Sequence, residues 1–408
     1  MKTKLRNFLR QINASVILAA IFLFFIVFVG AATVPTVVSE ASAVLHGEKS
    51  VKSGAFGIRA AYEEMLTTNL DQSVLQNRAT YVNLSGYIAN LLGQRQLNNV
   101  VKLNDGYLTS VYERQSTDES VERITKICYK QTEKGGTYLF VLAPTKISKF
   151  DNQLPPDIKD YANDNADDLV NGLRKNGVPV LDLRDELHAQ GISHEEAFNK
   201  TDHHWTPQTG FWAYVQIFKK LESMGAVSGI PDYLLDSNSY EFYIYHNSFL
   251  GSMGKRTGIY YAGVDDICKI IPKFDTNMSV SIPNGELDAT GRYEDVAYAV
   301  KDFGGTDYFN QRSYSSYGYG NRAMIHWSSA VAPVAKRFMV YGDSFGNVPF
   351  TLFALCVKTC DELDMRHYRD DFAAYYQAFD PDVVVCLVNV QEVSSNSEDV
   401  LYDFFPNG

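Results

Sequence analysis

The chain has 408 residues, 45% hydrophobic and 21% charged. That is an ordinary globular composition, which excludes disorder as the default and leaves room for two or three average domains or one large α/β domain with insertions. Its formal net charge of −11 argues against nucleic acid as the main partner, because binding phosphates needs clustered Lys and Arg. Five cysteines (Cys128, Cys268, Cys356, Cys360 and Cys386) without a CxxC spacing exclude a disulfide framework.

In chain order, Lys2, Lys4, Arg6 and Arg10 precede an uncharged stretch over 12–38. Roughly 20 apolar residues span a bilayer, and basic residues before the span keep that end in the cytoplasm. The expected layout is a cytoplasmic tail over 1–13 and a transmembrane helix over 14–36. The remainder lies outside, in a single-pass protein of the cell membrane. A cleaved signal peptide is the competing reading, since Ser39, Ala41, Ser42 and Ala43 are small. Both put the rest of the chain outside the cytoplasm.

Residues 37–98 read as a helical stalk or layer, with Ala60-Ala61-Tyr62-Glu63-Glu64-Met65-Leu66 and Tyr87-Ile88-Ala89-Asn90-Leu91-Leu92 at helical spacing. From 99 to 408 the pattern becomes α/β. Apolar runs over 138–143, 178–183, 337–341 and 383–388 read as strands covered on both faces. Helices are expected over 162–175, 210–224 and 349–360, the last placing Cys356 and Cys360 one turn apart against the core. Alternation of this kind implies a mostly parallel sheet with helices on both faces. A stretch over about 229–331 has weaker periodicity and reads as an insertion of hairpins and loops. It holds Ser313-Tyr314-Ser315-Ser316-Tyr317-Gly318-Tyr319-Gly320, whose tyrosines, Tyr317 among them, form either a sugar-stacking platform or a loop packed by its own rings.

Two short segments carry the chemistry. Thr201-Asp202-His203-His204-Trp205-Thr206 offers an acid and an imidazole two residues apart, which in an extended segment point to one side. Tyr341-Gly342-Asp343-Ser344-Phe345 offers a hydroxyl between a strand and a helix. Serine is a poor nucleophile until a base takes its proton and an acid orients that base. At a helix start the unpaired amides, Ser344's own included, suit an oxyanion, and Gly342 suits a tight turn. Asp343-Ser344 as a helix N-cap is the plain alternative. A metal site built on Asp202, His203 and His204 is a further one, weakened because adjacent residues of a strand point opposite ways. The nearby His194-Glu195-Glu196 looks like a solvated helix start.

These segments resemble the signature of the DHHW family, related to the AlgX/AlgJ-type alginate O-acetyltransferases of the SGNH-hydrolase-like superfamily. Asn104-Asp105-Gly106-Tyr107-Leu108, Ala143-Pro144-Thr145-Lys146, the segment over 249–256 and Asp364-Met365-Arg366 resemble further family motifs. The resemblance implies an SGNH-like domain over 99–408 with Ser344 as nucleophile, His204 as base and Asp202 as orienting acid. Arg366 and Lys146 become candidate site residues, Lys146 also fitting a structural strand end. It further implies acetyl transfer through an acetyl-serine to a cell-surface polysaccharide. No cofactor or metal is implied. A multi-span membrane partner would supply the acetyl group, since the chain has one span and no acetyl-CoA motif. Hydrolysis by a carbohydrate esterase and a non-catalytic carbohydrate-binding or scaffold role in an envelope assembly remain as other readings.

Overall fold

The computed structural model describes residues 22–24, 26–28, 30–31, 78–151 and 153–393. The expected tail over 1–13 lies outside them, as do most of the span over 14–36 and of the layer over 37–98. Residues 22–24, 26–28 and 30–31 are helical. Among the described residues no helix is long and apolar enough to cross a membrane. The chain divides into two units, Met1–Leu84 and Ser85–Gly408, and among the described residues every strand lies in the second.

A small antiparallel sheet comes first: β1 (Gln96–Leu97), β2 (Val100–Lys102) and β3 (Leu108–Thr109). Ten further strands continue the chain: β4 (Thr137–Ala143), β5 (Val180–Asp182), β6 (Tyr240–Phe249), β7 (Asp265–Pro272), β8 (Met278–Ile282), β9 (Leu287–Gly291), β10 (Met324–Ser329), β11 (Val334–Gly342), β12 (Val357–Leu363) and β13 (Val383–Asn389). Eight of these form one sheet in the order β5-β4-β13-β11-β12-β10-β8-β9. The first five run parallel, and the last three join antiparallel.

The parallel strands are apolar on both faces because both are covered. Leu139, Val141 and Ala143 of β4 enter one core, and Tyr138, Phe140 and Leu142 enter the other. The same period of two divides β13, with Val383, Val385 and Leu387 on one side and Val384, Cys386 and Val388 on the other. Each large apolar side chain, buried, contributes about 1.5–3 kcal/mol of hydrophobic stabilisation. The helices that matter are α1 (Arg78–Leu91), α2 (Asp118–Glu133), α3 (Ala162–Lys175), α4 (Pro207–Ser223), α5 (Ser252–Thr257), α6 (Asn347–Cys356) and α7 (Phe372–Phe379). Side chains of α2, α3 and α7 fill the second core, and those of α4 and α6 the first. The helix α4 starts where its sequence directs, with Thr206 Oγ1 accepting from Thr209 N and Pro207 in the first turn.

Two expectations need correction. The helix expected over 349–360 ends at Cys356, and Val357 opens β12. β-branched Val357 and Thr359 suit a strand that pairs in parallel with β11. Cys356 and Cys360 therefore lie on different elements, and all five cysteines are buried and free. The stretch over 229–331 is not only hairpins and loops. It forms the β6–β7 pair and also supplies β8, β9 and β10 to the main sheet, where Val280, Ile325 and Trp327 join the first core.

Candidate active site

Ser344 lies just past the central strand β11. A Cβ on Gly342 would lie 1.8 Å from the Leu387 carbonyl oxygen of β13. Glycine is thus required by the approach of two backbones rather than by the turn itself. The next residue fixes the serine. Buried Asp343 accepts from Phe345 N at 2.8 Å and from Asn389 N and Nδ2, both at 2.7 Å. Burial raises the Asp343 pKa, against the pull of these bonds. Ser344 then opens a 3-10 turn, Ser344–Gly346, that runs into α6.

His204 arrives on a loop. Its Nδ1 and its backbone N both meet Asp202 Oδ1, at 2.5 and 3.0 Å, while Asp202 Oδ2 accepts from Ser252 N at 2.5 Å. A Cβ on Gly251 would lie 2.2 Å from Asp202 Cβ, so only glycine lets this backbone reach the acid. One residue earlier, Thr201 N and Oγ1 each donate to Asp265 Oδ2 at 2.7 Å, and Gly251 N donates to Thr201 Oγ1 at 2.9 Å. Trp205 is fully buried and meets Phe345 edge-on with centroids 5.1 Å apart, which packs the two segments together.

The segments, 140 residues apart in sequence, meet at His204 Nε2 and Ser344 Oγ, 2.7 Å apart. Serine, imidazole and carboxylate thus form one continuous relay. Burial alone would raise the Asp202 pKa, but the His203 and His204 rings and the hydrogen bonds from His204 outweigh it and hold the carboxyl well below its usual range. An ionised Asp202 fixes Nδ1 as the protonated nitrogen and leaves Nε2 as the acceptor. The ring of Tyr314 stacks on His204 at 4.1 Å and 18°. His203 packs on His204 at 3.7 Å, and its Nδ1 lies 3.0 Å from Ser252 Oγ and 3.5 Å from Asp202 Oδ1. Burial first and His204 second push its pKa down to about 3, so it is neutral near pH 7. Asp202, His203 and His204 thus come within metal-ligating reach of one another, contrary to the expectation that adjacent histidines diverge. The turn at 201–204 curls both rings to one side. Yet both nitrogens of His204 are already engaged, by the carboxylate and by the serine.

The relay opens onto a cleft of about 700 Å³ bordered by His204, Ser252, Tyr314, Ser344, Asn347 and Arg366. Arg366 is held at its edge by Asp364, with Nε to Oδ1 at 2.8 Å and a terminal nitrogen to Oδ2 at 2.7 Å. The other candidates lie elsewhere. Tyr317 is fully buried, its hydroxyl donating to Cys268 O at 2.9 Å and accepting from Ile270 N at 3.2 Å, so its ring offers no face to a sugar. Lys146 is also buried, spending its ammonium on Leu108 O and Lys200 O at 2.5 and 3.1 Å, and burial lowers its pKa to about 7. It ties the loop leading to His204 down from behind rather than facing the cleft. Gly342 stands behind Ser344 and does not border the cleft. The supporting set that sequence reasoning missed is Tyr314, Asp265, Asn389 and Asn347.

The fold is a mostly parallel α/β sheet, and Ser344, His204 and Asp202 meet at its C-terminal edge in one hydrogen-bonded relay. Residues 103–232 match the family model described as SGNH hydrolase-like domain, acetyltransferase AlgX. That span includes the Asp202–His204 loop and ends before Ser344. No curated protein matches the chain. Among solved structures, that of Bacillus cereus PatB1 with a sulfonyl adduct is 20% identical, covering 76% of this chain and 98% of its own at a TM-score of 0.61. A DHHW family protein from Eubacterium siraeum is 17% identical, covering 75% and 95% at a TM-score of 0.56. The chain is therefore similar in fold to the group its motifs resemble.

Proposed function

We propose that the chain is an extracytoplasmic O-acyltransferase that moves acetyl groups onto a polysaccharide through an acetyl-Ser344 intermediate. The observation that carries this reading is the unbroken relay Asp202–His204–Ser344 opening on a cleft large enough for a sugar chain. The match of residues 103–232 to an acetyltransferase domain supports the same reading. His204 Nε2 takes the Ser344 proton as Oγ attacks the acyl carbonyl. The oxyanion that forms has two donors at hand. One is the Ser344 N–H at the head of the helical turn. The other is the carboxamide of Asn347, a buried cleft residue whose side chain makes no hydrogen bond among the described residues. Collapse expels the donor's oxygen with the proton returned by His204, leaving acetyl-Ser344. His204 then deprotonates a sugar hydroxyl, which attacks the ester and regenerates Ser344.

On this proposal the N-terminal apolar stretch anchors the chain in the cell membrane, and a multi-span membrane protein delivers acetyl from the cytoplasmic side. p-Nitrophenyl acetate replaces that donor in a test with purified protein. The wild-type chain should release p-nitrophenolate, and faster when an oligosaccharide acceptor is present, with acetyl recovered on the sugar. Acetate as the sole product would make it an esterase instead. Turnover like wild type by Ser344→Ala or His204→Ala would refute the relay.

A further inference from the structure

We propose that the face formed by the end of α1 and a cleft beside it lies on a lipid bilayer, the cleft taking an anionic phospholipid headgroup. The proposal goes beyond acyl transfer and does not depend on it. Gly86 and Ala89 bury one side of α1, and a Cβ on Gly86 would lie 2.0 Å from the Thr257 carbonyl oxygen of α5. The other side is left to solvent. Tyr87 and Leu91 stand one turn apart there, Leu92 follows, and Tyr260 meets the Tyr87 ring edge-on with centroids 6.0 Å apart. All four are more than half exposed, and among the described residues of the second unit Leu91 and Leu92 are the only exposed leucines.

The adjoining cleft carries the charge. It holds about 350 Å³ and is bordered by Asn90 of α1 and by Arg95, Lys102 and Lys200. Arg95 donates to Leu103 O at 3.3 Å and Lys102 Nζ to Asn90 Oδ1 at 3.1 Å, and none of the three cations makes an ion pair among the described residues. Burial first, then Lys200 and Arg95, lower the Lys102 pKa, as befits cations gathered without a counter-ion. Asp105 also borders the cleft, but its carboxylate is taken up by His194 Nε2 and Tyr107 N. The local sequence is basic too. Residues 72–104 hold Arg78, Arg95 and Lys102 but no Asp or Glu, although 48 of the chain's 408 residues are acidic. Tyrosines and exposed leucines rimmed by Lys and Arg suit the headgroup region of a bilayer, and clustered cations draw such a face to anionic lipid. A second copy or another protein could cover the same face. Chain order favours lipid, because only residues 39–77 separate α1 from the apolar stretch over 12–38, which is long enough for a bilayer.

The test uses the full-length chain in vesicles with one added cysteine, since all five native ones are buried. Leu92→Cys carries an environment-sensitive fluorophore, and Tyr129→Cys on α2 carries the same probe for comparison. In vesicles of phosphatidylcholine with phosphatidylglycerol, the probe at 92 should shift to the blue. Spin-labelled lipid should quench it at least about two-fold more than the probe at 129. Both effects should weaken in phosphatidylcholine alone and in high salt. Arg95→Glu with Lys102→Glu should cut the quenching by roughly half or more. Arg95→Gln, which removes one charge, should cut it less and keeps the test open if the double variant folds poorly. Equal quenching at the two probes, or quenching indifferent to lipid charge and to these variants, overturns the proposal. So does a probe at 92 shielded from both spin-labelled lipid and soluble iodide, the sign that protein rather than lipid covers the face.

Discussion

Ser344 is positioned by the sheet, whereas His204 is positioned by a loop that other loops hold. Behind the serine stand two parallel strands so close that Gly342 admits no side chain, and one carboxylate, Asp343, that ties the turn to β13. Behind the histidine stand side chains and amides gathered from far along the chain: Ser252 and Gly251 on Asp202, Asp265 on Thr201, Tyr314 on the imidazole face. The geometry around Ser344 therefore comes with the folding of the core. The geometry around His204 comes from a polar network that can be altered while the core stays intact.

Substitutions at the reacting atoms should have the largest effect. Ser344→Ala or His204→Ala should lower kcat by on the order of 10⁴-fold or more, and both together should cost little beyond either alone, because the pair acts as a unit. Asp202→Asn keeps the size of the side chain but not its charge, and should lower kcat on the order of 10²–10⁴-fold through loss of the fixed tautomer. Steady-state kinetics with p-nitrophenyl acetate reads all three.

Two glycines separate the arms directly. Gly342→Ala drives a Cβ into the Leu387 carbonyl and should cost about 1–3 kcal/mol or more in stability, seen as a lowered Tm. Gly251→Ala drives a Cβ into Asp202, and should instead reduce kcat by roughly 10²-fold through a displaced acid, with a smaller change in Tm. If Gly251→Ala unfolds the protein as readily as Gly342→Ala, the two arms are not independent as argued.

Smaller effects should come from the margins of the site. Tyr314→Leu removes a stacked ring worth about 0.5–1.5 kcal/mol, so kcat/KM should fall by up to roughly ten-fold with a displaced pH profile, and Tyr314→Phe should restore it. The smallest lies away from the relay. Glu362 is buried beside Trp327, whose Nε1 donates to it at 2.9 Å, and burial raises its pKa to about 8. Its folded pKa exceeds the unfolded value of about 4.3, so its contribution is complete below that value and lost as pH rises toward 8. Glu362→Gln keeps the neutral form at every pH. Its Tm advantage over wild type should be near zero below about pH 4, grow as pH rises between about 4.3 and 8, and level off above that, without altering kcat.

Legibility in the sequence divides along the same line. The parallel strands announced themselves as apolar runs. The resemblance named Asp202, His204 and Ser344 together, and the fold brings those three side chains within hydrogen-bond reach. The tyrosine-rich segment was noticed, but Tyr317 and Tyr314 are three residues apart and only packing decides which faces the cleft. Tyr317 turns inward to the β7 backbone, and Tyr314 turns to the imidazole. Local spacing likewise did not reveal that 229–331 completes the sheet, because a strand's partners depend on register with distant strands rather than on its own pattern. Asn389 and Asp265 were invisible for a simpler reason. Their role lies in a hydrogen bond to a partner 46 or 64 residues away.

Active-site labelling with phenylmethylsulfonyl fluoride tests the central claim most directly. Sulfonylation forms a bond from Ser344 Oγ to sulfur, expels fluoride, and delivers the serine proton to His204 Nε2. Peptide mass spectrometry should find one adduct, on the peptide containing Ser344, formed much more slowly in His204→Ala and absent in Ser344→Ala. An adduct elsewhere, or labelling of Ser344 at the same rate without His204, would contradict the account.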